Sequence, residues 1–350
     1  TDAYENDREA FMNYLKNDVV EAYKIFDLLY KVYYFLRYIM PFSMDYEDVY
    51  VLSTAVMWEK LLSMCYPPEY LSTLEPEPKK KYQGALTINN EGLYRNVMKL
   101  DISSMYPHIM LNYKVFPEYK DKEAYMLAYL NIFKNKRLEY KKLAKSGDKN
   151  ADMLQSALKV LINSAYGFMG TAGMRFNDYV AAAGVTAYGR RMLKFMIDFL
   201  KDRGCTVIEC DTDGIYYTHP DTEYAEQVYR ELKAEVNKIK FDIELEVKGA
   251  TMFADKSKNY ILFKQDGKIT KKGNKWRGRT QMKLRREWAI EYIHALATQP
   301  EKAEQMRKEM RELIASGKAW EYLAVDTRVN GRTKYLQKAG YSEGDRVKHC

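Results

Sequence analysis

The stretch VIECDTDGIYYT, from Val207 to Thr218, constrains the fold of this 350-residue chain more than any other. An apolar lead-in (Val207, Ile208, Cys210) reaches Asp211-Thr212-Asp213-Gly214, and an apolar, aromatic run leads out. That pattern reads as two β-strands joined by a tight turn. It sets two acids, one residue apart, at a hairpin tip. They repel each other, so a partly buried ribbon carrying them needs a neutralising partner, most simply a divalent cation. A solvated Asp-Gly turn is the plainer reading of these residues alone, because turns select Asp and Gly.

Composition narrows the partners. Lys and Arg number 56 against 48 Asp and Glu, and the pI lies near 8.9, so a polyanion such as nucleic acid is a candidate. The 31 tyrosines suit a wet groove that stacks on bases and sugars, and suit ordinary core and surface positions equally. Cys65, Cys205, Cys210 and Cys350 show no paired spacing, which argues against a disulfide framework or zinc site. The scattered His108, His219, His294 and His349 argue against Ser/His/Asp and most transition-metal chemistry, leaving carboxylates to hold any metal. The apolar region from Leu28 to Met40 is interrupted by Lys31 and Arg37, and nothing reads as a signal peptide or membrane span. A soluble protein of a reducing, intracellular compartment is expected. The chain starts at Thr1 and soon enters a helical pattern, as a fragment of something longer would.

Periodicity predicts helices over about Glu9 to Met40 and Asp48 to Met64, then an irregular, Pro-rich crossing from Tyr66 to Gly84 with a boundary near residue 80. Gly84 to Ile88 and Leu93 to Leu100 read as strands around a turn, the second ending at Asp101. Helices from Lys122 to Lys145 and Ala151 to Phe168 form a hairpin broken at Ser146-Gly147-Asp148. A helix from Val180 to Asp202 ends at the Arg203-Gly204 cap and delivers the chain into the acidic hairpin. A further helix, near Thr222 to Lys238, precedes strands around Phe241 to Val247 and Tyr260 to Lys264; beyond Trp276 the pattern is helical and basic.

Two further segments carry chemistry. In KLDISSMYPHIM, Asp101 ends a strand and the next backbone N–H groups open a helix, a place to hold a phosphate. Tyr106 could fill the space of a ribose 2′-hydroxyl, or be an ordinary core ring. In the helical hairpin, Arg137 and Lys141 share one face and Lys159, Asn163 and Tyr166 another, so three cations and an amide can converge on a triphosphate. A solvated basic face is the alternative for Arg137 and Lys141.

In their order and spacing these segments resemble the family B DNA polymerases. DISSMYP at Asp101 to Pro107 is similar to the family's Asp-x-x-Ser-Leu-Tyr-Pro, with Met105 in place of Leu. KVLINSAYG at Lys159 to Gly167 matches Lys-x-x-x-Asn-Ser-x-Tyr-Gly at every specified position. DTDG matches Asp-Thr-Asp-Ser except at Gly214, and VTAYGRR, Val185 to Arg191, is similar to the helix between the last two motifs. ADKSKNYILF resembles the Lys-Lys-x-Tyr motif, with Lys258 and Tyr260 matching and Ser257 in place of the first Lys. KKGNKWRGR, Lys271 to Arg279, resembles the basic entry to the thumb.

The resemblance implies an α+β fold of right-hand architecture: a palm with an antiparallel sheet, two-helix fingers and a mostly helical thumb. It implies an exonuclease remnant and connector at 1–82, palm at 83–122 and 171–275, compact fingers at 123–170 and thumb at 276–350. It implies template-directed DNA synthesis with two Mg²⁺ ions, for which Mn²⁺ can substitute. Asp101, Asp213 and the Ile102 carbonyl would hold them, with Asp211 in support. Ser104, Met105, Arg137, Lys141, Lys159 and Asn163 would bind the triphosphate, Tyr106 would be a sugar gate backed by Tyr166, and Lys159 a proton donor to pyrophosphate. Thr212, Lys258 and Tyr260 would meet the primer-template. Primer-template DNA, deoxynucleoside triphosphates and a processivity factor or other replication proteins are the implied partners.

YLKND, Tyr14 to Asp18, resembles the last motif of the family's 3′–5′ exonuclease. The family's Asp-x-Glu motif is absent and one carboxylate cannot make a two-metal nuclease, so no complete proofreading site is expected. Two other readings stay open. An RNA-directed polymerase also uses paired acids, although its usual Tyr-x-Asp-Asp turn is not here. An inactivated polymerase kept for binding primer-template would not need Asp101, Asp211, Asp213 and Lys159.

Overall fold

The computed structural model describes residues 7–40, 53–277, 282–329 and 334–349. In chain order the elements are α1 (Arg8–Ile39), α2 (Thr54–Ser63), α3 (Pro68–Leu71), β1 (Thr87–Asn89), β2 (Gly92–Ile102), α4 (Met105–Tyr113), α5 (Tyr125–Lys145), α6 (Lys149–Met169) and α7 (Tyr179–Asp202). There follow β3 (Thr206–Asp211), β4 (Gly214–Thr218), α8 (Thr222–Lys238), β5 (Ile243–Lys256), β6 (Asn259–Phe263), β7 (Ile269–Lys272) and the short α9 (Asn274–Arg277). A π-turn at Leu284–Trp288 runs into α10 (Ala289–Thr298); then come α11 (Pro300–Ala315), α12 (Trp320–Leu323), β8 (Val325–Arg328), α13 (Lys334–Lys338) and β9 (Arg346–His349). Asp48 to Leu52 of the expected second helix, and Gly278 and Arg279 of the basic stretch, lie outside the described residues.

The chain divides into two compact units, one of Thr1–Gly84 with Ser104–Tyr188, the other of Ala85–Ser103 with Gly189–Cys350. The first is helical. Local chemistry sets its boundaries: Ser53 caps α2 through the Val56 N–H, and Asp148 caps α6 through the N–H groups of Asn150 and Ala151. Helix α6 is the hub against which α1, α2, α4 and α5 pack. Trp58 on α2 is fully buried there, its indole N–H donating to the Leu161 carbonyl at 3.0 Å and its ring meeting Phe133 edge-on at 5.8 Å.

The Pro-rich crossing is irregular, as expected, but firmly held. Buried Asn177 accepts the Glu77 N–H at 2.8 Å and donates to the Glu77 carbonyl at 2.9 Å. Tyr66 donates to the buried Asp121 at 2.6 Å, and Asp121 also accepts the N–H groups of Tyr125 and Met126, so it opens α5 as well.

The second unit is built on a seven-stranded antiparallel sheet of order β1-β3-β4-β2-β5-β6-β7. Strand β2 is central, pairing with β4 on one side and β5 on the other. The expected strand, turn and strand around Asn89 exist, but β1 pairs with β3 because both edges of β2 are taken. At the end of α7, Gly204 adopts φ +74° and the Cys205 N–H reaches back to the Leu200 carbonyl, which stops the helix and starts β3. Ile261, Phe263, Trp276, Ile290 and Ile293 form one core where α10 meets the sheet. The β8–β9 ribbon is a strand pair that the helical pattern beyond Trp276 does not announce.

Deleting the Trp58 side chain should destabilise the helical unit by about 3–5 kcal/mol, through lost contacts and the cavity left behind. Urea unfolding of Trp58→Ala followed by circular dichroism checks this.

Candidate active site

Strands β3 and β4 pair with Cys210 opposite Ile215 and Asp211 opposite Gly214, leaving Thr212 and Asp213 as the connection. Thr212 sits at φ +63° and the Asp213 N–H donates to the Asp211 carbonyl at 2.7 Å. That is a γ-turn pattern with a positive central φ, a rare and strained form. On the far side of β4, β2 places Asp101 opposite Gly214, and the Ile102 N–H donates to the Asp213 carbonyl at 2.9 Å. Asp101, Asp211 and Asp213 therefore stand at the same end of three neighbouring strands.

Their environments differ. Burial works against the charge of Asp211, but Lys258 Nζ at 3.0 Å, Lys272 Nζ at 3.3 Å and the Thr212 hydroxyl hold its carboxyl below the usual carboxylate range. Asp213 moves the other way. Burial, with the negative charges of Asp211 and Glu246, pushes its carboxyl up against the pull of Lys99. Lys99 pairs with Glu246 and lies 3.8 Å from Asp101 Oδ1; burial disfavours its charge, yet these acids outweigh burial and keep its ammonium above the usual lysine range.

Among the described residues, no three His, Cys, Asp or Glu side chains are gathered closely enough to enclose a metal ion. Asp211 in particular is turned to lysines. The donor set at this end of the sheet is nonetheless oxygen only and suits hard cations such as Mg²⁺ or Mn²⁺. Burial that works against the charge of Asp213 is what such a cation would offset.

Beneath the acids lies Glu209, 0% exposed. Its Oε1 accepts the Lys258 N–H at 2.9 Å, while Oε2 has no hydrogen-bond partner among the described residues, and burial pushes the carboxyl up. Lys258 occupies the β5–β6 connection at φ +61°, so Glu209 pins the backbone whose ammonium reaches Asp211. Tyr260 is buried, its hydroxyl 2.6 Å from that of Tyr216, and Lys272 sits 5.9 Å from its ring.

The helical unit carries the cationic set. Ser104, at φ +48°, precedes α4 without capping it through its side chain, and Arg137 Nη1 donates to Ser104 Oγ at 3.4 Å. Met105 is buried, so a role in binding falls to its backbone. The rings of Tyr106 and Tyr166 lie 4.6 Å apart, and the Tyr166 hydroxyl is 3.1 Å from that of Tyr82. Lys159 and Asn163 are exposed on α6, and Lys141 is half-buried on α5. Lys134, half-buried three positions before Arg137, has its ammonium lowered by burial and extends that basic face. Tyr14 and Asp18 are exposed one turn apart on α1, where a hydrogen bond to Asp18 pushes the Tyr14 phenol up.

Motif reading misses Lys99, Glu209, Glu246 and Lys272. A signal existed for two of them: Lys99 and Glu209 each stand two residues before a site acid on a strand, hence on the same face. Glu246 and Lys272 arrive from other strands and leave no local signal.

A sequence profile of DNA polymerase family B matches residues 114–321. The chain is 27% identical over 339 residues to a DNA polymerase of Archaeoglobus fulgidus, covering 89% of this chain and 43% of that protein. It is 30% identical over 251 residues to DNA polymerase 1 of Pyrococcus abyssi, covering 61% and 33% respectively. It thus spans less than half the length of these curated relatives. The structure of the family B DNA polymerase from Pyrobaculum calidifontis superposes with a TM-score of 0.63 at 22% identity, covering 97% of this chain and 51% of that one. The expected α+β fold with an antiparallel sheet is borne out. Among the described residues no helix is long and apolar enough to cross a membrane.

Replacing Glu209 by Ala leaves the Lys258 N–H without its acceptor and should cost about 1–3 kcal/mol, whereas Glu209→Gln keeps an acceptor and should stay within about 1 kcal/mol of the parent. Denaturant unfolding of both variants checks this.

Proposed function

The chain belongs to DNA polymerase family B, and from that premise we propose that it adds deoxynucleotides to a primer 3′-hydroxyl under the direction of a DNA template. The observation that carries the reading is the β2–β4 ladder, which sets Asp101 beside the Asp213 turn, where burial works against the Asp213 charge. That arrangement fits divalent cations, held by Asp101, Asp213 and the Ile102 carbonyl with Asp211 in support. When bound, Mg²⁺ lowers the pKa of the 3′-hydroxyl and stabilises the leaving oxygens of an in-line displacement.

The chain's own residues do the rest. Arg137, Lys141, Lys159, Asn163 and the backbone of Ser104 and Met105 bind the triphosphate, and the cations offset charge growing on pyrophosphate. Lys159 gives pyrophosphate a proton. Tyr106, braced by Tyr166, excludes a 2′-hydroxyl. Thr212, Lys258 and Tyr260 follow the primer-template; the burial of Tyr260 makes its part a matter of supporting the surface next to Lys258 and Lys272. A processivity factor is a further partner. In this assignment residues 83–122 and 171–275 are palm, 123–170 fingers and 276–350 thumb, and 1–82 hold a connector with the exonuclease remnant Tyr14 and Asp18. One such acid cannot hold two metal ions, so we assign this chain no complete proofreading site.

Primer extension with Mg²⁺ tests the reading. Asp213→Ala should lower the rate by about 10³-fold or more, the several kcal/mol that the cation supplies, with Asp211→Asn losing less. Equal extension by Asp213→Ala and the parent would sink the metal assignment, and extension by neither would favour a binding module. The parent should also prefer deoxynucleotides, with Tyr106→Ala raising ribonucleotide incorporation; efficient ribonucleotide use by the parent removes the gate. Lys159→Ala should slow turnover, and a loss confined to nucleotide affinity counts against its proton.

A further inference from the structure

Three features of the sheet meet at Lys99. Its ammonium pairs with Glu246 and lies 3.8 Å from Asp101 Oδ1. Its stem runs beside Gly214, where an added Cβ would stand 3.4 Å from Lys99 Cε, 3.5 Å from the Leu100 carbonyl oxygen and 3.6 Å from Asp101 Oδ1. Its register position, opposite Tyr216, directs it along the face that carries Asp101, with the Tyr216 ring 5.8 Å from Nζ.

We infer that Lys99, already held by Glu246 beside Asp101, is a resident counter-ion of the carboxylate end of the sheet and competes with the divalent cation for Asp101. This rests on the metal reading above. An ammonium supplies one positive charge to acids that cannot all stay ionised without help. A divalent ion at the same acids would sit within a few ångströms of it, where like charges repel strongly in a partly buried setting. Glu246, 43% exposed at its side chain, already holds the ammonium and keeps it at this end of the sheet. A structural ion pair with no part in cation binding is the alternative.

Titration of the full chain with MnCl₂, without DNA or nucleotide, separates these by the electron paramagnetic resonance signal of free Mn²⁺. Lys99→Met should bind Mn²⁺ about tenfold more tightly than the parent, the effect of removing one nearby charge worth about one pKa unit, and Lys99→Arg should match the parent. Equal or weaker binding by a folded Lys99→Met overturns the inference, while the metal reading stands as long as Asp213→Ala binds less. Binding that Asp213→Ala leaves untouched overturns both. Should Lys99→Met fail to fold by circular dichroism, acetylation of Lys99 in the parent, followed by mass spectrometry at matched ionic strength, decides. MgCl₂ should raise its reactivity several-fold, and an unchanged or lower reactivity overturns the inference.

Discussion

Negative charge at one end of the sheet is the constraint that the rest of the second unit answers to. Ladder hydrogen bonds fix β2 against β4 and β4 against β3, and the tie from the Ile102 N–H to the Asp213 carbonyl closes the turn onto β2. A strand cannot rotate an acid away without moving every other side chain to the wrong face. The three aspartates are therefore held near one another whatever their repulsion. Cations from three different strands or turns respond: Lys99 from β2, Lys258 from the β5–β6 turn and Lys272 from β7.

Those cations divide the acids. Asp211 has two ammonium groups and a hydroxyl, so its charge is settled within the protein. Asp213 is half-buried, and desolvation with its acidic neighbours outweighs the attraction of Lys99, so it is the acid whose charge is least favoured. The buried Glu209 shows that the surrounding backbone is part of the device, because it fixes the turn that carries Lys258. In the helical unit the same rule operates: Asp121 and Asn177 are buried, and each is held by several hydrogen bonds that strap the Pro-rich crossing in place.

Much of this was legible wherever the determinant is local. The cap at Gly204, the break at Ser146-Gly147-Asp148 with the hairpin of α5 and α6 around it, and the β3–β4 hairpin follow from spacing and turn chemistry. Pairings between distant segments were not legible. Leu93 to Leu100 has the pattern of a strand, yet nothing in it states that β4 and β5 would occupy both its edges and send β1 to β3. The burial of Tyr260 against Tyr216 is of the same kind, since two tyrosines far apart in sequence carry no mark of their contact.

The sequence by itself determined the family, the identity of the motif acids and cations, and the faces on which those stand, because motif order and strand or helix periodicity are properties of a short stretch of chain. Only the tertiary structure decided which cation answers which acid. Asp211 was the more dispensable acid by analogy; in the fold it is the one two lysines already neutralise, whereas burial works against the charge of Asp213. That division depends on distances between strands brought together by folding, over which Coulomb energies change steeply, and no local pattern encodes it.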